Sequence, residues 1–301
     1  MSICLLVGLI FSTVPHAGPP VAAKKIVLIA GKKSHGPEGN GIHDYGWSVR
    51  LLQAMLERSN VAADIRVEIH LNGWPDDPTT LDDADTLMIV SDGRDGQAGE
   101  EALHLATPQR IRQMGRLMQR GCGLVTFHFA TFAPEQYRSK VLSWNGGYFQ
   151  WEQDGKRDWY SAIRTLQAEV KLPTPKHPVT RGVAPFRIRE EFYYNLRLTP
   201  QAVPLAEVPE LKGRDGDGNV VAWALQRERG RGFGTTLGHF YHNWKNDNYR
   251  KLILNGLVWS AGVQVPENGV ESSFLTHEQI SKAEQTRRVG TPRSQPQVRQ
   301  R

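Results

Sequence analysis

Three histidines sit where an open parallel sheet would present them to a ligand, just past the carboxyl ends of apolar runs. His35 comes five residues after the run 25–30, His128 follows 123–127 directly, and His239 follows 234–237 by one glycine. His43 and His242 lie close by in the chain. Neutral imidazole ligates zinc-like ions, and three protein ligands with one open position make a site that polarises a carbonyl or activates water. Imidazoles near neutral pH can equally shuttle protons with no metal. On the first reading His35, His128 and His239 are the expected ligands of a divalent, zinc-like metal, with Glu190, Glu191, Asp92 or Asp95 to complete the set. His128, His239 and Glu191 are the expected catalytic groups. There is no HExxH and no paired CxxC, so spacing alone does not choose between the two uses.

Other chemistry is less well supported. The glycine-rich stretch 31–46 follows a strand but fits neither GxGxxG nor GxxxxGK[ST], so no nucleotide cofactor is expected. Ser91 precedes Asp92-Gly93, but Ile89 stands where a nucleophile elbow needs its first glycine. Cys122, ahead of a buried strand, reads as a core thiol. Aromatic residues crowd 144–160 and flank His242. Flat apolar rings beside polar groups suit sugars, although the same rings also pack ordinary cores. His43, Asp92, Trp144, Tyr148, His242 and Trp244 are therefore the expected substrate-binding residues, with Asn145, Arg157 and Asp158 as further polar partners.

The elements that must hold these groups alternate. Residues 25–30 form a continuous apolar run, as in a parallel strand covered on both faces, and 47–58 place Leu51, Leu52, Met55 and Leu56 on one helical face. Strands follow at 65–71 and 86–90. Thr107 and Pro108 then open a helix that Gly121 can close, and 123–127 is the next strand. Strand and helix at this pitch define an α/β fold with a doubly wound, mostly parallel sheet. Beyond it, 192–198, 220–226 and 234–237 read as extra β segments before a last helix at 248–259.

The ends differ from the body. Residues 1–23 carry no charged side chain and hold an apolar run too short to span a bilayer, followed by the small residues Val21-Ala22-Ala23. That pattern is an export signal, which implies a periplasmic or secreted protein with no membrane span. Cys4 leaves with it, so the mature chain has one cysteine and no internal disulfide. Six basic and two acidic residues from Glu278 onward carry +4 of the formal net charge of +6. The body is thus nearly neutral, which argues against a nucleic-acid partner. Residues 24–266 form the expected domain, and 267–301 a polar, basic tail expected to lack structure.

Taken in order, Ala-Gly-Lys-Lys-Ser-His-Gly from Ala30, Ile42-His-Asp-Tyr-Gly46, Gly121-Cys-Gly-Leu-Val-Thr-Phe-His-Phe-Ala-Thr131, Trp144-Asn-Gly-Gly-Tyr-Phe149 and Gly238-His-Phe-Tyr-His-Asn-Trp244 resemble the ThuA-like family. The resemblance implies a flavodoxin-like sheet similar to class I glutamine amidotransferases. It does not imply amidotransferase chemistry, because the cysteine needed after a strand is replaced here by His128. It further implies breakdown of trehalose or related glycosides, in some members through a 3-keto sugar, whose carbonyl acidifies the neighbouring C2 proton. Two readings stand: a lyase, hydrolase or isomerase using the histidine rim, or a carbohydrate-binding protein without catalysis.

Overall fold

A computed structural model describes residues 22–95, 102–213 and 218–290. All but the last two residues of the expected export signal, and the tail beyond 290, lie outside the described residues.

The centre is a seven-stranded sheet. Its strands are β1 (Lys24–Ala30), β2 (Ile65–His70), β3 (Thr86–Val90), β4 (Gly123–Phe127), β7 (Val203–Glu207), β8 (Val220–Gln226) and β9 (Arg231–Thr235). A separate antiparallel hairpin, β5 (Ala162–Val170) with β6 (Phe186–Tyr194), packs against it. The sheet order is β7-β8-β9-β4-β3-β1-β2; β9, β4, β3, β1 and β2 are mutually parallel, and β7 and β8 extend the edge antiparallel. This is the α/β, flavodoxin-like architecture expected.

Alternation along β1 shows why its sequence is apolar throughout. Ile26, Leu28 and Ala30 enter one core, while Val27 and Ile29 enter the other. The first core holds α1 (Tyr45–Leu56) and α4 (Asp247–Ser260). The second holds α2 (Pro108–Arg120) and α3 (Arg138–Asn145). Helix α2 starts and stops as its punctuation requires: the Thr107 side chain accepts from the Arg110 N–H, and Gly121 takes a left-handed φ of 104°.

Three expectations change. The segment 192–198 divides: 192–194 end β6, whose start at Phe186 is hidden by alternating arginines that face outward, and Arg197–Leu198 pair separately with Gly147–Tyr148. Strand 234–237 begins earlier, at Arg231, because its glycines serve close packing: a Cβ on Gly234 would lie 2.1 Å from the Trp223 ring. The tail expected to lack structure is ordered as far as 290. Val270 and Ile280 are buried there, and α5 (His277–Gly290) joins α1 through Arg50–Glu284 and Glu57–Arg287 ion pairs of 2.9 and 2.8 Å. A few well-placed apolar residues are enough to dock a helix whose composition is polar overall. Among the described residues no helix is long and apolar enough to cross a membrane.

Candidate functional site

At the carboxyl ends of the parallel strands four side chains converge: His43, His128, His239 and Glu191, with one ligand atom from each lying within 4.8 Å of the others. Each arrives by a different local device. His128 is the first residue past β4 and takes φ = 52°, a left-handed conformation that costs a non-glycine residue about 1–2 kcal/mol. Two bonds of 2.7 Å hold it there, Thr131 Oγ1 donating to its carbonyl and its Nδ1 meeting the Thr236 carbonyl. His43 also has positive φ, 47°, and its N–H donates to the His239 carbonyl at 3.1 Å. A bridge between Ile42 and Phe240 ties these two loops together. Glu191 comes from β6.

Glu190, beside it, points the other way and is fully buried. Its carboxyl accepts from the N–H groups of Glu191, Gly238 and His239 and from Asn243 Nδ2, at 2.8–3.1 Å. It therefore clamps the His239 loop to β6. Burial outweighs these donors and pushes its pKa up to about 7.

Hydrogen bonding fixes the tautomers. A carbonyl can only accept, so His128 Nδ1 carries the proton and Nε2 presents a lone pair. Tyr45 donates its proton to Asp92 Oδ1 at 2.5 Å, so its oxygen accepts from His43 Nδ1 at 2.9 Å and His43 Nε2 is bare as well. These two unprotonated nitrogens lie 3.1 Å apart; His239 Nδ1 is 2.9 Å from His43 Nε2, and the Tyr193 hydroxyl is 2.8 Å from His128 Nε2. Glu191 Oε2 is 3.1 Å from His239 Nδ1 and 3.7 Å from His128 Nε2. Ligands on a tetrahedral zinc at the usual N–metal distance are separated by about 3.3–3.4 Å. Facing lone pairs at this spacing repel each other, and three nitrogens with a carboxylate at these separations fit a divalent ion.

His43 and His128 are both held neutral. Burial and the neighbouring His239 pull His128 down to about 3, and burial with the surrounding imidazoles lowers His43 further. Burial by itself would raise Glu191, but the bond with His239 and the nearby imidazoles outweigh it, so it stays a carboxylate. Tyr193 stacks on His128 at 4.3 Å with its hydroxyl 2.8 Å from Nε2. His43 and His128 are 3% and 1% exposed, so access comes from the side of His239 and Glu191.

His35 stands outside this quartet, on the rim, with its ring 4.2 Å from that of His43. With His43 and Asp92 it forms a second, looser group. Ser34 Oγ donates to Asp92 Oδ1 at 2.6 Å, so it accepts from His35 Nδ1 at 2.6 Å and leaves His35 Nε2 free to solvent.

The structure thus brings together His128, His239 and Glu191, and puts His43, expected to bind substrate, beside them where His35 was expected. Of the other expected substrate contacts, Asp92 reaches the site through Tyr45 and His242 is exposed on an adjoining groove. Trp144, Tyr148 and Trp244 do not reach it: they are 8%, 1% and 1% exposed and fill the two cores. Trp244 stacks on Phe127, and Tyr148, whose backbone pairs with Arg197, packs in the second core, so packing claims both rings. Asp95 is buried near Arg157, and Asn145 bonds Thr126. Cys122 is buried, and burial raises its thiol to about 12, which suits a core residue. Tyr45 and Tyr193 went unnoticed in the sequence. The only signal for Tyr45 was its place two residues after His43, and for Tyr193 its alternation with Glu191.

Fold and site together define an α/β protein whose strand ends carry a three-histidine, one-carboxylate cluster. Residues 38–260 match the ThuA family, described as trehalose utilisation, and the chain belongs to that family. Solved structures agree in fold. A ThuA-like protein of Parabacteroides merdae is 18% identical with a TM-score of 0.57, covering 83% of this chain and 98% of its own. A ThuA-like protein of Bacteroides uniformis is 15% identical with a TM-score of 0.56, covering 81% and 94%. A cytoplasmic protein of Salmonella typhimurium is 15% identical with a TM-score of 0.52, covering 78% and 99%. No curated protein matches the sequence.

Proposed function

We propose that this chain is a sugar-active enzyme, a lyase in the first instance, that uses a divalent, zinc-like cation held by His43, His128, His239 and Glu191. The observation that carries the reading is the pair of unprotonated imidazole nitrogens held 3.1 Å apart beside a third nitrogen and a carboxylate. When bound, the cation would supply Lewis-acid polarisation of a sugar carbonyl.

The chain's own residues do the rest. Glu191 stands on the accessible side, with the buried Tyr193 behind it, and His35 offers an exposed ring whose orientation is set by Ser34 and Asp92. With a 3-keto glycoside, His35 Nε2 takes the C2 proton, the C1–C2 double bond forms, and the C1–oxygen bond breaks. The aglycone oxygen leaves with its electron pair and is protonated by solvent. The charge-free, apolar opening of the sequence supports export to the periplasm or beyond. Trp144, Tyr148 and Trp244 are buried, so those three rings do not offer a sugar-binding platform.

The test is elemental analysis of the purified chain after zinc or manganese loading, with turnover of a 3-keto disaccharide measured in parallel. Stoichiometric metal lost in His43→Ala and kept in His35→Ala, with turnover lost in both, is the expected result. Wild-type protein that retains no metal after loading would refute the reading.

A further inference from the structure

Beside the cluster lies a groove of about 600 Å³, floored by Ile42, Phe240 and Phe274 and edged by Arg189, Lys245 and His242. Its polarity is one-sided, because no carboxylate lines it. Among the described residues neither Arg189 nor Lys245 forms an ion pair; they lie over aromatic rings instead, Arg189 4.9 Å from the Phe240 centroid and Lys245 5.8 Å from that of Phe274. Both cations also act on one spot: after burial, their charges are what lower the pKa of His242.

The groove joins the reacting end through two independent connections. The Phe240 ring packs edge-on against His239, centroids 4.5 Å apart. Along β6, strand alternation places Arg189 on the same face as Glu191 and Tyr193, one pleat repeat of about 6.6 Å from Glu191. A group held by Arg189 is therefore about one sugar ring away from an atom held at the cluster.

We propose that this groove is the subsite for the second unit of the substrate and that it selects an acidic one, a ring bearing a carboxylate or phosphate. The apolar floor covers the ring face while Arg189 and Lys245 take the acid. Arg suits this task because its planar fork meets either oxyanion with two hydrogen bonds. The inference rests on the proposed function only for which end of the ligand reacts; the charge preference is a property of the groove itself.

The test is calorimetric binding at low ionic strength with two matched pairs: trehalose against trehalose 6-phosphate, and 4-nitrophenyl glucoside against 4-nitrophenyl glucuronide. Zinc titration of the same preparations runs alongside. The expected result is that at least one acid binds about tenfold more tightly than its neutral partner. In Arg189→Ala/Lys245→Ala, both exposed positions, that advantage should fall below about twofold while the neutral ligands bind as before. Which pair responds separates phosphate from carboxylate. Equal binding of acid and neutral ligands, no binding of any of them, or an advantage that persists in the double variant would overturn the inference. A normal zinc titration accompanying such a failure leaves the metal reading standing, and a failed zinc titration with an intact acid preference does the reverse.

Discussion

Tyr45→Phe removes one oxygen that touches no substrate and should still cost metal affinity. The hydroxyl is the acceptor for His43 Nδ1 at 2.9 Å and donates to Asp92 at 2.5 Å, in a residue only 3% exposed. Without it His43 has two choices. It can keep its proton on Nδ1, leaving a buried donor without that acceptor at a cost of about 1–3 kcal/mol. Or it can move the proton to Nε2, which aims an N–H where the ion should sit. Either way zinc binding weakens by about 10–100-fold, or about 1.4–2.7 kcal/mol, the usual range for losing a partner of a ligating histidine. Asp92→Asn is the internal control: an amide oxygen still accepts from Tyr45, so the loss should stay within several-fold. The assay is zinc competition against a chromophoric chelator, with thermal unfolding of each variant without metal to show that the fold is retained. A Tyr45→Phe protein that binds zinc within about twofold of wild type would refute the tautomer argument, and with it the assignment of His43 Nε2 as a ligand.

Other consequences are open to simpler measurements. Burial pulls His104 down to about 4 from an ordinary value of 6.5, so the folded state resists a proton that the unfolded chain accepts. Above pH 6.5 it is neutral in both states, and stability is lost as pH falls from 6.5 toward 4, by about 3 kcal/mol. His104→Leu should flatten the pH dependence of denaturant midpoints in that window, and an unchanged slope would count against the assignment. Cys122, raised to about 12 by burial, should ignore a disulfide reagent at pH 8 in the folded protein and react on denaturation. Prompt labelling of native protein would contradict this. Gly238 has φ = 143°, and an added Cβ would lie 2.4 Å from the Phe127 ring and 2.9 Å from His128 Cβ. Gly238→Ala should therefore lower stability by about 1–3 kcal/mol and displace His128, read as a fall in both unfolding temperature and zinc affinity.

How far the sequence reached can be followed residue by residue. Strands β3, β4 and β8 and the capped helix α2 were legible because local chemistry specifies them: unbroken apolar runs, and a Thr-Pro start with a glycine stop. The start of β6 was less so, since arginines at alternate positions carry meaning only once a core lies on the other face. The docked helix α5 was missed because its burial rests on few residues whose partner, α1, is more than 200 positions away.

Of the site, the sequence by itself determined that histidines would stand at the sheet's carboxyl edge, since His128 and His239 are bound to strand ends by direct adjacency. It also supplied Glu191, through its place among plausible acids. What only the tertiary structure decided is which histidine of the loop after β1 turns inward. His35 and His43 lie in one glycine-rich segment, and nothing local distinguishes them. The choice falls to His43 because the Ile42–Phe240 bridge and the His43 N–H bond to His239 join that loop to one almost 200 residues later, while Tyr45 and Asp92 set the proton on its ring. Sequence fixes what can ligate, through residue type and strand position. Which nitrogens meet, and with lone pairs facing, depends on contacts between loops that share no local signal.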